Sequence, residues 1–162
     1  MSFFNKNKKK GKEDNTLIKT NLTSTKLEYH PKIILAWAKA IDGNTQLLNY
    51  LKDNGFEELA VSVFAIQLDN KSRDWLMQNG YPHLMALINA SEGNENAKKW
   101  LKINGFTLLY FISEAVDGEQ NGAAGFDWLK KNTSPDLYLL AQTIKQVKDK
   151  IEERHNDIHS FG

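Results

Sequence analysis

The stretch WLKINGF at Trp100–Phe106 decides the fold of this chain because it recurs. Its pattern is an aromatic residue, then leucine, then Asn-Gly-aromatic three positions later. Copies begin at Tyr50 and Trp75, and a fourth at Trp128 keeps the aromatic residue, the leucine and the asparagine. The four leading aromatic residues are 25, 25 and 28 positions apart. Self-similarity at a short, fixed period is typical of stacked helical or strand units that each contact only their neighbours.

Each unit is predicted to begin with a short helix that carries its own start and stop signals. Short polar side chains that can accept hydrogen bonds from the first-turn amides stand at Asn44, Asp69 and Asn94. Glycines that tolerate the left-handed conformation of a helix end stand at Gly55, Gly80 and Gly105. The first helix of each unit therefore spans about Asn44 to Asn54 and the equivalent later residues. Its narrow apolar stripe places it in an outer layer.

A second helix follows at once in each unit and is predicted to be buried. In the first complete unit its apolar residues recur at the spacing of one helix face: Phe56, Leu59, Ala60, Val63 and Phe64. We call the set of equivalent positions in successive units a column. One column of this helix is alanine in every unit: Ala40, Ala65, Ala90 and Ala115. The sequence therefore predicts an all-α fold, an α-α superhelix in which about four helix-turn-helix repeats form a short solenoid with a longer C-terminal capping helix.

The predicted organisation is a basic tail followed by one domain. Residues 1–15 are expected to form a disordered basic tail, or a weak electrostatic contact with an anionic surface, and residues 16–162 form a single helical-repeat domain. A degenerate first helix within residues 15–29 is expected to cap the stack. The repeat units are predicted at about 30–42 (partial), 43–67, 68–92, 93–117 and 118–145.

Composition narrows the classes of function. The 162 residues carry a net charge of +1 and no cysteine, so the chain has no strong electrostatic attraction to nucleic acid and no thiolate metal site. No stretch approaches the roughly 20 apolar residues that span a bilayer, so no stable membrane insertion is expected. The basic N-terminal stretch is followed by polar residues, unlike a secretory signal, which favours a cytoplasmic location.

The C-terminal helix, predicted at 135–158, opens with the start signal Ser134-Pro135-Asp136. Its apolar residues then follow a three-four spacing: Leu137, Leu140, Ile144, Val147, Ile151 and Ile158. Two interpretations fit this pattern. The helix either caps the last unit with its apolar edge or forms the seam of a homodimer, for which Ile151 and Ile158 are the test residues.

Residues capable of catalysis or metal binding are few, and no catalytic, cofactor-binding or metal site is predicted. His155 and His159 stand four apart but lack the glutamate of the zinc-binding HExxH signature. The acids at the unit junctions are expected to favour helix N-termini electrostatically: Asp42, Asp69, Glu92, Asp117 and Glu119. The tryptophans Trp75, Trp100 and Trp128 are expected to belong to the core.

A binding surface is predicted where residue type changes from unit to unit. The residue type changes between units in two columns of the second helix. These columns contain the candidate partner-binding residues Trp37, Glu58, Ser62 and His83. If this stripe faces solvent, its variety suits recognition of an unknown protein partner. If it packs against unequal neighbours, it has no such role. An alternative is a ligand-binding or enzymatic pocket near Trp37 and His83.

The segment from Gly93-Asn94 through Trp100-Leu101 to Asn104-Gly105-Phe106 resembles the second half of an ankyrin repeat. In that family a glycine and a polar residue open a helix that ends in paired leucines and a glycine. The resemblance covers about residues 42–132 and concerns architecture, because a 25-residue period leaves no room for the ankyrin hairpin. It implies a non-catalytic protein-protein interaction scaffold.

Overall fold

The computed structural model describes residues 27–118 and 122–160, which contain nine helices and no strand. The expected disordered tail and the expected capping helix before Leu27 lie outside these residues. The helices are α1 (Pro31–Ile41), α2 (Thr45–Asp53), α3 (Glu57–Ile66), α4 (Asn70–Gln78), α5 (Pro82–Ser91), α6 (Glu95–Ile103), α7 (Thr107–Asp117), α8 (Gly122–Asn132) and α9 (Pro135–Ser160). Consecutive helices contact one another, and α1, α3, α5 and α7 contact each other in series. The predicted all-α helical-repeat fold is confirmed.

The predicted N-terminal caps of the outer helices are confirmed. The side chain of Asn44 accepts a hydrogen bond from the Leu47 amide at 3.0 Å. Asp69 accepts one from the Ser72 amide at 2.8 Å, and Asn94 one from the Ala97 amide at 3.0 Å. Each cap satisfies one of the first-turn amides that have no partner within the helix.

The recurring Asn-Gly-aromatic motif builds the turn between the two helices of a unit. An asparagine side chain donates to the carbonyl of the aromatic residue four positions earlier: Asn54 to Tyr50 at 2.7 Å, Asn79 to Trp75 at 2.8 Å, Asn104 to Trp100 at 2.8 Å and Asn132 to Trp128 at 2.9 Å. The glycine then takes a positive φ, 78° at Gly105. The amide of the next residue, Phe106, closes the turn on the Leu101 carbonyl at 2.9 Å. The motif is therefore a helix-ending device.

The layers follow the predicted order. The second helices α1, α3, α5 and α7 bury most of their residues, whereas α2 and α4 each bury a single one. That residue is the leucine of the repeated motif, Leu51 or Leu76, and Leu101 in α6 is likewise 0% exposed. The tryptophans beside these leucines were predicted to be core, but they are half-buried. They lie at the rim because the leucine, one position further round the helix, points directly inward.

The last helix pair packs more closely than the others. A Cβ atom placed on Gly125 of α8 would lie 2.5 Å from the backbone nitrogen of Ala115 in α7. Only glycine allows this approach, since real Cβ atoms do not come so near to backbone. The small residue that precedes Trp128 by three positions therefore allows the close packing of α8 on α7.

The C-terminal helix does more than cap the last unit. α9 contacts α7 and α8, but it also contacts α1, the first described helix. Its three-four stripe faces the body of the molecule, with Leu140 and Ile144 at most 2% exposed. Ile151 is half-buried and Ile158 is 71% exposed, so most of the heptad-like pattern packs within the chain. Dimerisation through Ile151 and Ile158 stays a prediction.

None of the helices in the described ranges combines the length and the apolar character required to cross a bilayer.

Leu68 departs from the repeat in a way that costs stability. It has a φ of 72° at a position where other units have Gly43, Gly93 and Gly118. A left-handed conformation costs a residue with a Cβ atom about 1–2 kcal/mol, and Leu68 is 42% exposed, so little burial offsets this cost. We expect Leu68→Gly to raise the free energy of unfolding by about 1 kcal/mol, measured by urea denaturation.

The matched control is Gly43→Leu. Gly43 has a φ of 102° and nothing within 4 Å of an added Cβ, so the substitution tests backbone conformation alone. We expect it to lower the free energy of unfolding by about 1–2 kcal/mol. A Leu68→Gly variant less stable than the wild type would show that the leucine side chain contributes more than its backbone conformation costs.

Candidate functional site

Two of the four predicted partner-binding residues lie inside the molecule. Trp37 and Ser62 are each 1% exposed, and the Trp37 indole Nε1 donates to Ser62 Oγ at 2.8 Å. The Ser62 hydroxyl in turn donates to the Leu59 carbonyl at 2.6 Å. Of the two alternatives for this stripe, packing against neighbouring elements holds at these two positions, because α9 lies over them. These two side chains offer no surface to a partner.

The other two predicted residues lie nearer the surface. Glu58 is 8% exposed and accepts a hydrogen bond from the Tyr29 hydroxyl at 2.7 Å. His83 is half-buried, with its ring 5.5 Å from Phe106 and 6.2 Å from Tyr81 between ring centroids. Burial lowers the pKa of His83 to about 4. The imidazole is therefore neutral at physiological pH and poorly suited to accept a proton in catalysis.

A narrow cleft lies beside Trp37, under α9, but it does not reach His83. Its walls include Trp37, Leu84, Ser91 and Ile144, and it leaves no room for a water molecule. The Ser91 hydroxyl, which lines it, has no hydrogen-bond partner within the described residues. A ligand-binding or enzymatic pocket near Trp37 and His83 stays a prediction.

A polar cluster built on the buried Lys148 holds α9 against the repeats. Lys148 of α9 donates to the Ile66 carbonyl at 2.8 Å and to the Glu92 carboxylate. Arg73 donates to the same carboxylate and, through Nε, to the Ala65 carbonyl at 3.1 Å. Burial raises the pKa of Glu92, but the bonds from Arg73 and Lys148 outweigh it and hold that pKa below its usual range. Burial lowers the pKa of Lys148 despite its bond to Glu92.

The positions equivalent to Arg73 and Glu92 in the next unit, Lys98 and Asp117, also form an ion cluster. Lys98 stands where Arg73 stands, and its ammonium lies 2.6 Å from Asp117, 3.1 Å from Glu114 and 3.2 Å from Glu95. Burial opposes the charge of Lys98, yet these bonds outweigh burial and raise its pKa. Glu92 therefore pairs with the side chains of Arg73 and Lys148, and Asp117 with that of Lys98. The expectation that these acids favour helix N-termini stays a prediction. No group of three or more His, Asp or Glu side chains in the described ranges is arranged to hold a metal ion.

A row of aromatic rings, which we call the aromatic edge, joins two neighbouring units. It comprises Trp75, Tyr81, His83, Trp100 and Phe106. Trp75 stacks on Tyr81 with centroids 5.8 Å apart, and Trp100 stacks on Phe106 at 5.7 Å. His83 joins the two stacks, so four contacts run unbroken from one outer helix to the next. Phe106 is buried, with 6% of its surface exposed, and the other members are half-buried.

The aromatic edge has a negative electrostatic environment on its N-terminal side. Burial raises the pKa of Tyr81 to about 12, and the charges of Glu58 and Glu57 add to this effect. Tyr29, whose ring meets Phe56 edge-on at 6.1 Å, has its pKa raised by burial and by Glu58. The sequence analysis singled out Glu58 and His83 but not the row of rings, because the tryptophans were assigned to the core and the aromatic residue after Asn-Gly to the buried face of the second helix.

The buried imidazole of His83 makes stability depend on pH. The unfolded chain binds a proton near the ordinary histidine pKa of about 6.5, whereas folded His83 binds one only near pH 4. Stability is therefore lost as the pH falls through this window. After allowance for partial exposure, we expect a loss of about 2 kcal/mol in the free energy of unfolding.

The control is His83→Leu, which introduces the residue found in the equivalent column at Leu108. Carboxylates protonate in both chains, so the difference between urea denaturation at about pH 7 and about pH 4 isolates the histidine. An equal loss of stability in both chains would contradict the prediction.

Comparison with known proteins finds no matching family model, no similar curated protein and no similar solved structure. The resemblance to ankyrin repeats therefore stays a prediction.

Proposed function

We propose that this chain is a non-catalytic protein-protein interaction module whose partner binds the aromatic edge. One observation carries the proposal: the rings from Trp75 to Phe106 form an unbroken row on packed helices, and all of them except the buried Phe106 are partly exposed. The inner helix α1, by contrast, is covered by α9. The location we propose with this function is the cytoplasm, as the sequence predicts.

Ordering the side chains of a binding surface costs free energy when a partner binds. Aromatic side chains give large contact area and have few rotatable bonds, so they dominate the energetics of many interfaces. Here each ring is already held by a neighbour before a partner arrives. A preformed surface lowers the entropic cost of association.

An enzymatic or ligand-binding role near Trp37 and His83 receives less support. The cleft beside Trp37 has no room for a water molecule, and His83 lies outside its walls. Nucleic-acid binding is not proposed either, since the aromatic edge carries Glu57 and Glu58 where a phosphate backbone requires cations.

Site-specific photo-crosslinking tests the proposal. A photoreactive amino acid at position 57, beside the aromatic edge, is compared with one at position 127, an exposed site on α8. We expect a discrete crosslinked protein from position 57 in native lysate and none from position 127. Tyr81→Leu, which keeps an apolar side chain but removes the ring, should abolish the crosslink in a protein with unchanged circular dichroism. Crosslinks from position 127 alone, or from neither position, would reject the aromatic edge as the binding surface.

A further inference from the structure

We propose that Asn54 is a site of spontaneous, non-enzymatic modification, at which the side-chain amide is converted to a carboxylate. The inference goes beyond the proposed function and does not depend on it. Three turns of the chain have the same Asn-Gly-aromatic motif, at Asn54, Asn79 and Asn104. The structure distinguishes the first of these turns from the other two.

The reaction joins the asparagine side chain to the backbone nitrogen of the next residue. Glycine leaves that nitrogen accessible because it has no Cβ atom. The Gly55 nitrogen bonds to Cγ of Asn54, the bond from Cγ to the side-chain nitrogen breaks, and ammonia leaves with the proton of the Gly55 amide. Solvent water then opens the resulting cyclic imide at either carbonyl carbon. The products are aspartate and isoaspartate, in which the main chain runs through the side-chain carbon.

The turn at Asn54 is the most open of the three. Asn54 and Gly55 are both exposed, whereas the asparagine and the glycine of the other two turns are half-buried. A Cβ atom placed on Gly55 would meet nothing within 4 Å. The main chain at this turn therefore has space to bend toward the side chain, and water can reach the imide.

Stacked rings restrain the turns of the next two units. There the aromatic residue before the turn stacks on the one after it: Trp75 on Tyr81 with centroids 5.8 Å apart, and Trp100 on Phe106 at 5.7 Å. The amide nitrogen of Gly105, which would have to attack Asn104, also donates to the Lys102 carbonyl at 3.2 Å. These contacts must be broken before the imide can form.

The rings around the Asn54 turn are arranged differently. Phe56, which follows the turn, meets the ring of Tyr29 edge-on at 6.1 Å. Tyr50, which precedes it, is 45% exposed. The Asn54 side chain donates to the Tyr50 carbonyl at 2.7 Å, as the other two asparagines donate to their tryptophans. Solvent can replace this bond at an exposed residue, so Asn54 is released more readily.

The conversion weakens the end of α2. A carboxylate at position 54 has no hydrogen to donate to the Tyr50 carbonyl. It also adds a negative charge next to Asp53 at the C-terminal end of the helix, where the helix dipole is already negative. Isoaspartate additionally lengthens the main chain. Of the three turns, the first is therefore the one that ageing of the protein changes.

Peptide mapping by mass spectrometry of the full chain, incubated at mildly alkaline pH, tests the inference. We expect Asn54 to be converted at least about fivefold faster than Asn79 and Asn104, the effect on a rate of about one additional contact that must be broken. In urea the ratio of the rates should fall toward one, because all three asparagines precede glycine. Equal rates in the folded chain, faster conversion at Asn79 or Asn104, or a preference for Asn54 that persists in urea would each overturn the inference.

Trp75→Leu tests the part played by ring stacking. Leucine keeps an apolar side chain but removes the ring that stacks on Tyr81. We expect Asn79 to be converted at least about twofold faster in this variant. Asn104 in the same chain is the internal control and should keep its rate. No change at Asn79, or an equal rise at Asn104, would contradict the role assigned to the rings.

Discussion

Trp37→Ala is expected to lower the free energy of unfolding by about 4 kcal/mol. The Trp37 side chain is 1% exposed, and its indole nitrogen makes the buried hydrogen bond to Ser62. Truncation would leave a large cavity between α1, α3 and α9, and the close-packed neighbours can collapse into it only in part. Urea denaturation followed by circular dichroism measures the effect. A change below about 1 kcal/mol would mean that the α9 contact is not formed in solution.

The control for this substitution is Trp37→Phe. Phenylalanine keeps most of the apolar contact but removes the indole nitrogen, so the Ser62 hydroxyl oxygen loses its donor. We expect a loss of about 1–2 kcal/mol, which is the size of one buried hydrogen bond plus a small cavity. The difference between the two variants separates packing from hydrogen bonding.

Lys148→Ala is expected to lower the free energy of unfolding by about 3 kcal/mol. The substitution removes the donor to the Ile66 carbonyl and one of the two cations on Glu92. It also removes the buried aliphatic stem of the lysine, which lines the cleft beside Trp37. The loss is measured by denaturation at neutral pH.

Lys148→Met distinguishes the charge of Lys148 from its packing. Burial lowers the pKa of Lys148, so the folded protein disfavours its charge even with Glu92 beside it. Replacing a buried ion by an apolar side chain of similar volume is often close to neutral. We therefore expect Lys148→Met to recover at least about half of the stability lost in Lys148→Ala. If both variants lose stability equally, the ionic bond itself contributes most of the stabilisation.

Local signals in the sequence predicted the local structure well. Asn44 and Gly55 mark the start and the end of α2 because capping depends on residues within a few positions. The burial of α3, α5 and α7 follows from apolar spacing for the same reason. Such signals act within one unit, and each unit repeats them.

The non-local contacts could not be predicted in the same way. The sequence left open whether Trp37 faces solvent or packs inside, because nothing in its own unit indicates that α9 covers it. Glu92 was interpreted as favouring a helix N-terminus, yet its partner Lys148 lies 56 residues further along the chain. Periodicity describes how neighbouring units match, and it contains no information about a helix that returns across them.

The candidate site was predicted only in part for a related reason. Glu58 and His83 attracted interest because their columns vary between units, and both lie at or beside the aromatic edge. The other rings belong to the repeated motif and are aromatic in each complete unit, so variation between units did not indicate them. The same regularity that predicts the fold therefore gives no signal for a surface built from the repeated motif.

The contact between α9 and α1 constrains the number of units that can lie between these two helices. In an open stack, a unit can be gained or lost with little effect elsewhere, because each one touches only its neighbours. Here the last helix must reach the first described one, so an inserted unit would place α1 beyond its reach. The contact also joins segments about a hundred residues apart, which favours slow folding and a single concerted unfolding transition. α1 and α9 therefore depend on each other, and the repeats between them form a unit of fixed length rather than an extendable stack.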